Sequence, residues 1–436
     1  MKVFVRIAQS VLLLVVVLGL AWTAARLAPM PASQRAALRA METPWRPAGS
    51  NAFDDLWLLG YRVPPARRRA LADADLRMGD ADGNGPRPGD AAKAAGMPSV
   101  APSQEDRDLL CGRHDDCLAK VAADRARYRA LVARNAGLMR NIEQLRAHGH
   151  VRLRGNLMHA IAPYQFAMAS DTFHAVAFVD GEVEQALAGA CVDFATWRRF
   201  AANNDSLVGA MVSAARSERL ARLIAAMAAQ QPRGTPWPDA CSAAFAAPRA
   251  GEGELGQALA GEYRFQDQAI ARAMDAEASG FLTFDRSGMR GRSALRLQRY
   301  TGAAARADVA ADRKLAPTSP PAWGGDWRCI GNLAGCILAD VAEPAYVGYA
   351  WRMQDHRARL QLMSAVTWLR LQPPSDEPLG ALLKRWPGQA PARQVEADDT
   401  AGTLRIGMFD RARGDYWTVP APGSRVASAA LPTPAR

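Results

Sequence analysis

The sequence lacks the short motifs by which many enzyme families are identified. It contains no Gly-x-Ser-x-Gly nucleophile elbow, no His-Glu-x-x-His zinc motif and no glycine-rich phosphate loop with a lysine. These absences exclude the familiar forms of α/β-hydrolases, zinc proteases and P-loop nucleotide-binding proteins. An enzyme that uses an unfamiliar set of residues stays open, and no cofactor is predicted.

The chain also has no dense basic tract and no basic–aromatic pattern of the kind that binds RNA. Its formal net charge is nevertheless +11, with an isoelectric point of about 9.7. A basic surface favours anionic partners such as phospholipid head groups, nucleic acid or acidic polymers. Because the arginines are interleaved with Asp and Glu along the predicted helices, we expect no nucleic-acid partner.

Residues 1–30 carry a membrane-targeting segment. Lys2 and Arg6 precede an apolar run over residues 7–25, which reaches the roughly 20 residues that a helix needs to cross a bilayer. Lipid offers no hydrogen-bond partners to the backbone, so the span must be helical. We expect Trp22 near the far interface, where tryptophan is favoured.

This segment has two alternative fates, an uncleaved signal anchor or a cleaved signal peptide. Thr23 and Ala25 are small enough for a signal peptidase, but Arg26 follows at once and the apolar core is long. We therefore predict a signal anchor, with a protein secreted after cleavage as the alternative. The abundance of Ala and Arg indicates a GC-rich bacterial genome, so we expect a single pass through a bacterial inner membrane.

The six cysteines form two local pairs and one distant pair, namely Cys111 with Cys117, Cys329 with Cys336, and Cys191 with Cys241. This is the simplest of the 15 connectivities that six cysteines allow. Disulfides persist in the periplasm or outside the cell. The arginines that follow the apolar run do not favour an exported body. The cysteines therefore decide the orientation, and we expect the bulk of the chain in the periplasm.

The remaining pattern predicts a mainly α fold: an N-terminal transmembrane helix, a multi-helix periplasmic body and a small C-terminal β-hairpin. Apolar residues recur at spacings of three and four through most of the chain, as core-facing helices require. Alternation over residues 403–408 and the β-prone residues 416–419 predict the hairpin. The predicted divisions are a signal anchor (1–30), short membrane-proximal helices (31–78), a flexible linker or loop (79–102), a helical disulfide-stapled domain (103–390), and the hairpin with a tail (391–436).

A heptad pattern runs through residues 117–147. Val121, Tyr128 and Ile142 belong to one position of the repeat, and Leu131, Leu138 and Leu145 follow three residues behind it. Asp124 and Asn135 interrupt this seam with polar side chains. Because the seam is short and interrupted, an intramolecular helical hairpin is favoured over a dimer seam.

Two stretches carry residues that could bind a metal ion. Cys111 to Cys117 encloses His114 and two aspartates, but the spacing fits no common zinc pattern, so we expect a disulfide loop with an acidic tip. Asp80, Asp82 and Asn84 match the first half of a calcium loop. The twelfth position of that loop is Ala91 instead of Glu, so we expect a linker there.

Histidines and glutamates supply the remaining candidates. His148 and His150 form a His-x-His pair that could chelate a metal ion, although isolated surface or core histidines are commoner. A general acid/base pair for glycan hydrolysis could lie among five glutamates whose spacing singles out no two, namely Glu182, Glu184, Glu252, Glu254 and Glu262.

The function that these observations favour is non-catalytic. The chain is expected to be a membrane-tethered interaction or assembly factor of the bacterial envelope, with an envelope protein as its partner. The first alternative is an envelope hydrolase that acts on cell-wall or glycan substrates through carboxylates. The second is a metal-binding envelope protein built on the histidines. The sequence does not determine the oligomeric state.

Overall fold

The computed structural model describes residues 2–82, 85–155, 161–276, 284–316, 326–341, 343–390 and 392–424. The chain is mostly helical, which confirms the predicted fold class. Over these ranges the α-helices are α1 (Lys2–Leu27), α2 (Ala32–Glu42), α3 (Phe53–Trp57), α4 (Pro65–Asp82), α5 (Asp90–Ala94), α6 (Gln104–Leu109), α7 (Cys117–Ala123), α8 (Arg125–Arg134), α9 (Ala136–Gln144), α10 (Ala169–Val179), α11 (Val183–Ala202), α12 (Leu207–Ala229), α13 (Asp239–Ala244), α14 (Gly256–Ala276), α15 (Arg286–Thr301), α16 (Ala303–Ala310), α17 (Leu333–Val341), α18 (Glu343–Leu371) and α19 (Leu379–Leu383).

The C-terminal sheet has three antiparallel strands, β1 (Val395–Asp398), β2 (Thr403–Gly407) and β3 (Tyr416–Pro420), in the order β1-β2-β3. The predicted hairpin is β2 with β3, and β1 adds a strand that the sequence pattern did not indicate. Ile406 is the register partner of both Val395 and Trp417, and all three side chains are buried. The pattern missed β1 because it has only four residues and one large apolar side chain.

Helix α1 is long and apolar enough to cross a membrane, and an 18-residue window within Phe4–Leu27 has a mean hydropathy of 2.3. Its most apolar stretch is not covered by the rest of the chain. The end of the helix, in contrast, belongs to the folded body. Ala25 is buried, and Nη1 of Arg26 donates hydrogen bonds to the carbonyls of Phe284 at 2.7 Å and Gly331 at 3.2 Å.

The body is organised around the antiparallel pair α11 and α12, against which α10, α13 and α18 pack. Its main core contains Phe194, Trp197 and Leu220 from this pair. A second apolar core lies among α2, α14, α15 and the first half of α18, with Leu259 and Leu297 fully buried. Burial of these stripes explains why the helices follow the spacing of three and four.

Three disulfides join the six cysteines in the simplest pairing: Cys111–Cys117, Cys191–Cys241 and Cys329–Cys336. The second of these ties α11 to α13, and the other two close short loops.

The heptad prediction for residues 117–147 is corrected in its geometry. The chain forms three short helices, α7 to α9, that break at Asp124 and Asn135, the two polar positions of the seam. The Asp124 carboxylate caps α8 by accepting from the backbone N–H of Arg127 at 3.2 Å. The apolar seam residues, including Leu131 and Leu138, are buried in the main core and not in a two-helix seam.

Residues 85–102 lie against the body, where composition had predicted a flexible linker or loop. The buried carboxylate of Asp75 accepts hydrogen bonds from the backbone N–H groups of Gly89 at 2.8 Å and Ala91 at 2.5 Å, and from the indole of Trp57 at 2.8 Å. A carboxylate that is distant in sequence thus holds this glycine-rich stretch. Burial raises the pKa of Asp75, against the lowering effect of these three hydrogen bonds.

Candidate functional site

A polar cleft of about 390 Å³ lies between the Cys111–Cys117 loop, helix α12 and strand β3. We call it the arginine cleft, because five arginines line it, namely Arg113, Arg219, Arg222, Arg359 and Arg413. Four separate parts of the chain contribute these side chains: the disulfide loop, α12, α18 and the turn before β3.

The disulfide loop forms one wall of the arginine cleft. The Asp115 carboxylate accepts from the backbone N–H of Gly112 and from the Lys120 ammonium, both at 2.8 Å, and these contacts lower its pKa. The backbone N–H of Cys111 donates to the Thr172 hydroxyl at 2.9 Å, which fastens the loop to α10. The loop is therefore held in one place beside the arginines.

The floor is a buried ion-pair cluster. Asp171 on α10 accepts from the guanidinium groups of Arg216 and Arg219, the latter at 3.0 Å. Arg219 also donates to the carbonyl of Cys111 at 2.7 Å. Asp115 and Asp171 line the cleft, and they are neutralised by Lys120 and Arg216, which lie outside the lining. Two of the four carboxylates that line the cleft are thus compensated from outside it, and the five arginines exceed the remaining two, Asp116 and Glu218.

Glu218 on α12 is a buried carboxylate that faces the cleft arginines. Its oxygens lie 3.4 Å from Arg222 and 3.6 Å from Arg359. Burial alone would raise its pKa, but the charges of Arg359, Arg222 and Arg113 outweigh burial and lower it. Glu218 is therefore ionised at neutral pH. Both separations exceed the roughly 2.7–2.9 Å of a charge-assisted hydrogen bond, so Glu218 compensates charge without saturating the donors.

Arg359 is a buried arginine of the cleft, and Glu218 is its ion-pair partner at 3.6 Å. The Arg359 side chain is 10% exposed, and burial lowers the pKa of its guanidinium. In the part of the chain that the structure describes, it makes no hydrogen bond, and its Nε is buried without a partner. The guanidinium lies 6.0 Å from the ring centroid of Trp417, over which Arg222 also lies at 5.2 Å. The indole N–H of Trp417 is likewise buried and unpartnered among the described residues.

Buried N–H groups almost always have an acceptor. A ligand that brings oxygen acceptors into the arginine-lined cleft would suit these donor side chains, although Arg370 and Trp237, outside the cleft, also have unpartnered donors among the described residues. Carboxylate and phosphate groups have this chemistry, and arginine recognises both through its planar fork of donors.

No protein-family model, curated protein or solved structure matches this chain.

The metal candidates of the sequence are dispersed. Cys111 and Cys117 are joined in a disulfide, which leaves His114 on an exposed loop without thiolates beside it. His148 contacts Asp55 and Ser50, and His150 packs edge-on against Trp45. Over the described ranges, no group of three or more His, Cys, Asp or Glu side chains is placed to hold a metal ion.

The calcium-loop candidates are placed differently from the prediction. Helix α4 runs through Asp82, so Asp80 and Asp82 belong to a helical backbone and not to an open loop. Asn84 lies outside the described residues.

The five glutamates are also separated. Glu182 and Glu184 are exposed at the start of α11, and Glu252 forms a two-pronged ion pair with Arg198 at 2.6 and 2.7 Å. Glu254 is partly exposed just before α14. Only Glu262 among the five lines the second cavity described next.

This second cavity is mainly apolar, has a volume of about 540 Å³ and lies between α12, α14 and α18. Burial raises the pKa of Glu262, whose carboxylate accepts from the Tyr346 hydroxyl at 3.3 Å. Asp205 also lines the cavity, and burial raises its pKa as well. Asp205 is engaged by the backbone N–H of Leu153 at 2.7 Å and by Arg264 at 3.1 Å.

Sequence reasoning did not single out Glu218, Arg222 or Arg359. Each is one charged residue on an amphipathic helix, and 137 positions separate Arg222 from Arg359. The signal near the cleft was the Cys111–Cys117 loop, which was noted for its metal-binding residue types and lies at the rim of the arginine cleft.

Proposed function

We propose that this chain is a membrane-anchored periplasmic protein of the bacterial envelope that binds an anionic partner in the arginine cleft, as a non-catalytic interaction or assembly factor. The observation that carries the proposal is Arg359, a buried guanidinium without a hydrogen bond among the described residues. A partner that presents carboxylate or phosphate oxygens would satisfy it.

The end of α1 supports a retained anchor. A retained anchor stays attached to the folded body, and the contact between the end of α1 and the body suits that fate. Thr23 and Ala25, the small residues of the candidate cleavage site, lie on a helix, and Ala25 is buried against the body. The three disulfides support an oxidising compartment.

Calorimetric titration of the full-length protein in non-ionic detergent micelles tests the proposed binding. Citrate and inorganic pyrophosphate serve as probes, because they separate carboxylate from phosphate recognition. Replacing Arg359 by Met should weaken binding about 10- to 150-fold, since a hydrogen bond to a charged group is worth about 1.5–3 kcal/mol. Glu218→Gln should strengthen binding, because it removes the negative charge that competes with the ligand.

Arg370→Met is the matched control. Arg370 lies on the same helix, is buried, and has its pKa lowered to about 10 by burial, but it donates to the carbonyl of Pro232 and lies outside the cleft. This variant should bind as the wild type does. Equal affinities of the Arg359 and Arg370 variants, or no heat with either probe, would contradict the proposal. Opposite effects at Arg359 and Glu218 are not expected from a general folding defect.

An envelope hydrolase is the second candidate, and one observation favours it. Glu262 combines a raised pKa with a mainly apolar cavity, and this pairing is common for a general acid. The test is cleavage of purified cell-wall material in a gel overlay. Clearing that Glu262→Gln abolishes would support the hydrolase, and an overlay without a cleared zone for the wild-type protein would exclude it.

A further inference from the structure

The segment Trp327–Val341 exposes an unusual apolar surface. Of the eleven large apolar side chains that are exposed outside α1 among the described residues, six lie within these fifteen positions. We call them the apolar patch: Trp327, Ile330, Leu333, Ile337, Leu338 and Val341. The others are scattered singly along the chain, which is ordinary for a protein surface.

Helix α17 exposes its large apolar side chains and buries its small ones, which is the reverse of a helix on a water-facing surface. The small residues Gly335 and Ala339 and the disulfide-bonded Cys336 face the body, while Ile337 and Leu338 point outward with 49% and 46% of their surface exposed. A surface helix in water normally buries its large apolar residues. The reversal indicates that the outer face of α17 meets an apolar medium.

The patch is also held firmly to the body. Asp340 of α17 forms ion pairs with Arg292 at 2.7 Å and Arg296 at 2.9 Å, both on α15. The Cys329–Cys336 disulfide ties the turn that carries Trp327 to α17. The outward orientation of the apolar side chains is therefore built into the fold.

The patch begins where α1 meets the body. Arg26, at the end of α1, donates to the carbonyl of Gly331, between Ile330 and Leu333 of the patch. A Cβ atom at position 331 would lie only 2.8 Å from the backbone nitrogen of Arg26, so glycine allows this close approach. The end of α1 and the start of the patch are thus neighbours.

We propose that the apolar patch inserts into the interfacial layer of the same bilayer that α1 spans, as a second membrane contact of the body. The composition of the patch fits this occupant. Tryptophan is favoured at the membrane interface, and Arg328, whose guanidinium lies 5.2 Å from the Trp327 ring centroid, suits anionic head groups. Asp340 and Asp326, the nearby acids, are paired with Arg292. The inference rests on the proposed anchor, and it would fix the orientation of the body above the membrane.

Nitroxide labelling of the full-length protein in vesicles of phosphatidylethanolamine and phosphatidylglycerol (3:1) tests this contact. The native cysteines are all in disulfides, so Leu338→Cys provides a single reactive thiol. Leu371→Cys is the matched control, because Leu371 is 55% exposed and lies at the far end of α18, about 40 Å from α17 along that helix. The ratio of collisions with oxygen to collisions with a water-soluble nickel chelate should be several-fold higher at position 338.

Equal ratios at the two positions would overturn the proposal. So would spin–spin broadening at position 338 that grows with the protein-to-lipid ratio, since it would show that a second copy covers the patch. Alkaline carbonate extraction is run in parallel. Release of the protein by carbonate refutes the anchor itself, whereas retention combined with equal collision ratios refutes only the patch.

Discussion

His356 on α18 leads to a quantitative prediction about acid stability. The side chain is 2% exposed, and its Nδ1 has no partner among the described residues. Burial, and then the positive charges of Arg359 and Arg198, lower the pKa of His356 to about 3. In the unfolded chain the pKa of histidine is about 6.5. Below that value the unfolded chain binds a proton that the folded chain excludes.

The contribution of His356 to stability is therefore lost as the pH falls from about 6.5 towards 3. Linkage gives the size of the effect. Between pH 7 and pH 5, protonation of this one imidazole in the unfolded state lowers the free energy of unfolding by about 2 kcal/mol. If the folded-state pKa of His356 were one unit higher, this free-energy change would be almost the same, because the imidazole would still be mostly neutral in the folded chain at pH 5.

The assay is urea unfolding of the full-length protein in non-ionic micelles at pH 7 and pH 5, followed by tryptophan fluorescence. Carboxylates also titrate towards pH 5, so the informative quantity is the difference between variants. His356→Leu should lose about 2 kcal/mol less than the wild type over this interval. His114→Gln removes an exposed imidazole and is the control for losing a histidine. The same loss in wild type and His356→Leu would refute a neutral, buried His356.

Two further predictions concern the scaffold. Replacing both cysteines of the Cys191–Cys241 bridge by Ala should lower the free energy of unfolding by about 4 kcal/mol, because the bridge closes a separation of 50 residues. Opening either short bridge, with separations of 6 and 7 residues, should lower it by only about 2 kcal/mol. Equal losses in urea unfolding would contradict this loop-entropy relation. Gly261→Ala should destabilise by about 1–3 kcal/mol, because its Cβ would lie 1.6 Å from the carbonyl oxygen of Asp205. Gly348→Ala, on α18 with no atom within 4 Å of the new Cβ, should instead stabilise by about 0.5–1 kcal/mol. Thermal unfolding of the two variants tests this, and midpoint temperatures that both shift in the same direction would contradict it.

Much of the helical architecture follows from local pattern. The spacing of three and four predicts core-facing helices through most of the chain, and the structure has long ones at Val183–Ala202, Leu207–Ala229 and Glu343–Leu371. Apolar spacing defines the body of each helix and local signals define its ends. Ser206, for example, caps α12 by accepting from the backbone N–H of Gly209 at 3.2 Å.

The predictions that differed from the structure required long-range contacts. Composition predicted a flexible linker or loop over residues 79–102, and within this stretch Asp75 binds the backbone at Gly89 and Ala91. The heptad pattern indicated a seam, although polar residues such as Asp124 cap helices there and end them. Strand β1 has little apolar signal and forms because β2 is beside it.

The sequence by itself determined the membrane-type helix, the helical class and the simplest cysteine pairing, because each depends on hydrophobicity, periodicity or spacing along the chain. The tertiary structure alone decided which charges meet. Arg222 and Arg359 look like solvated helix residues in the sequence, yet folding places both beside Glu218 and Trp417. It also decided that large apolar residues of α17 face outward beside Arg26. The energy of a buried charge or an exposed apolar face depends on its neighbours in space, and no local pattern in the chain encodes those.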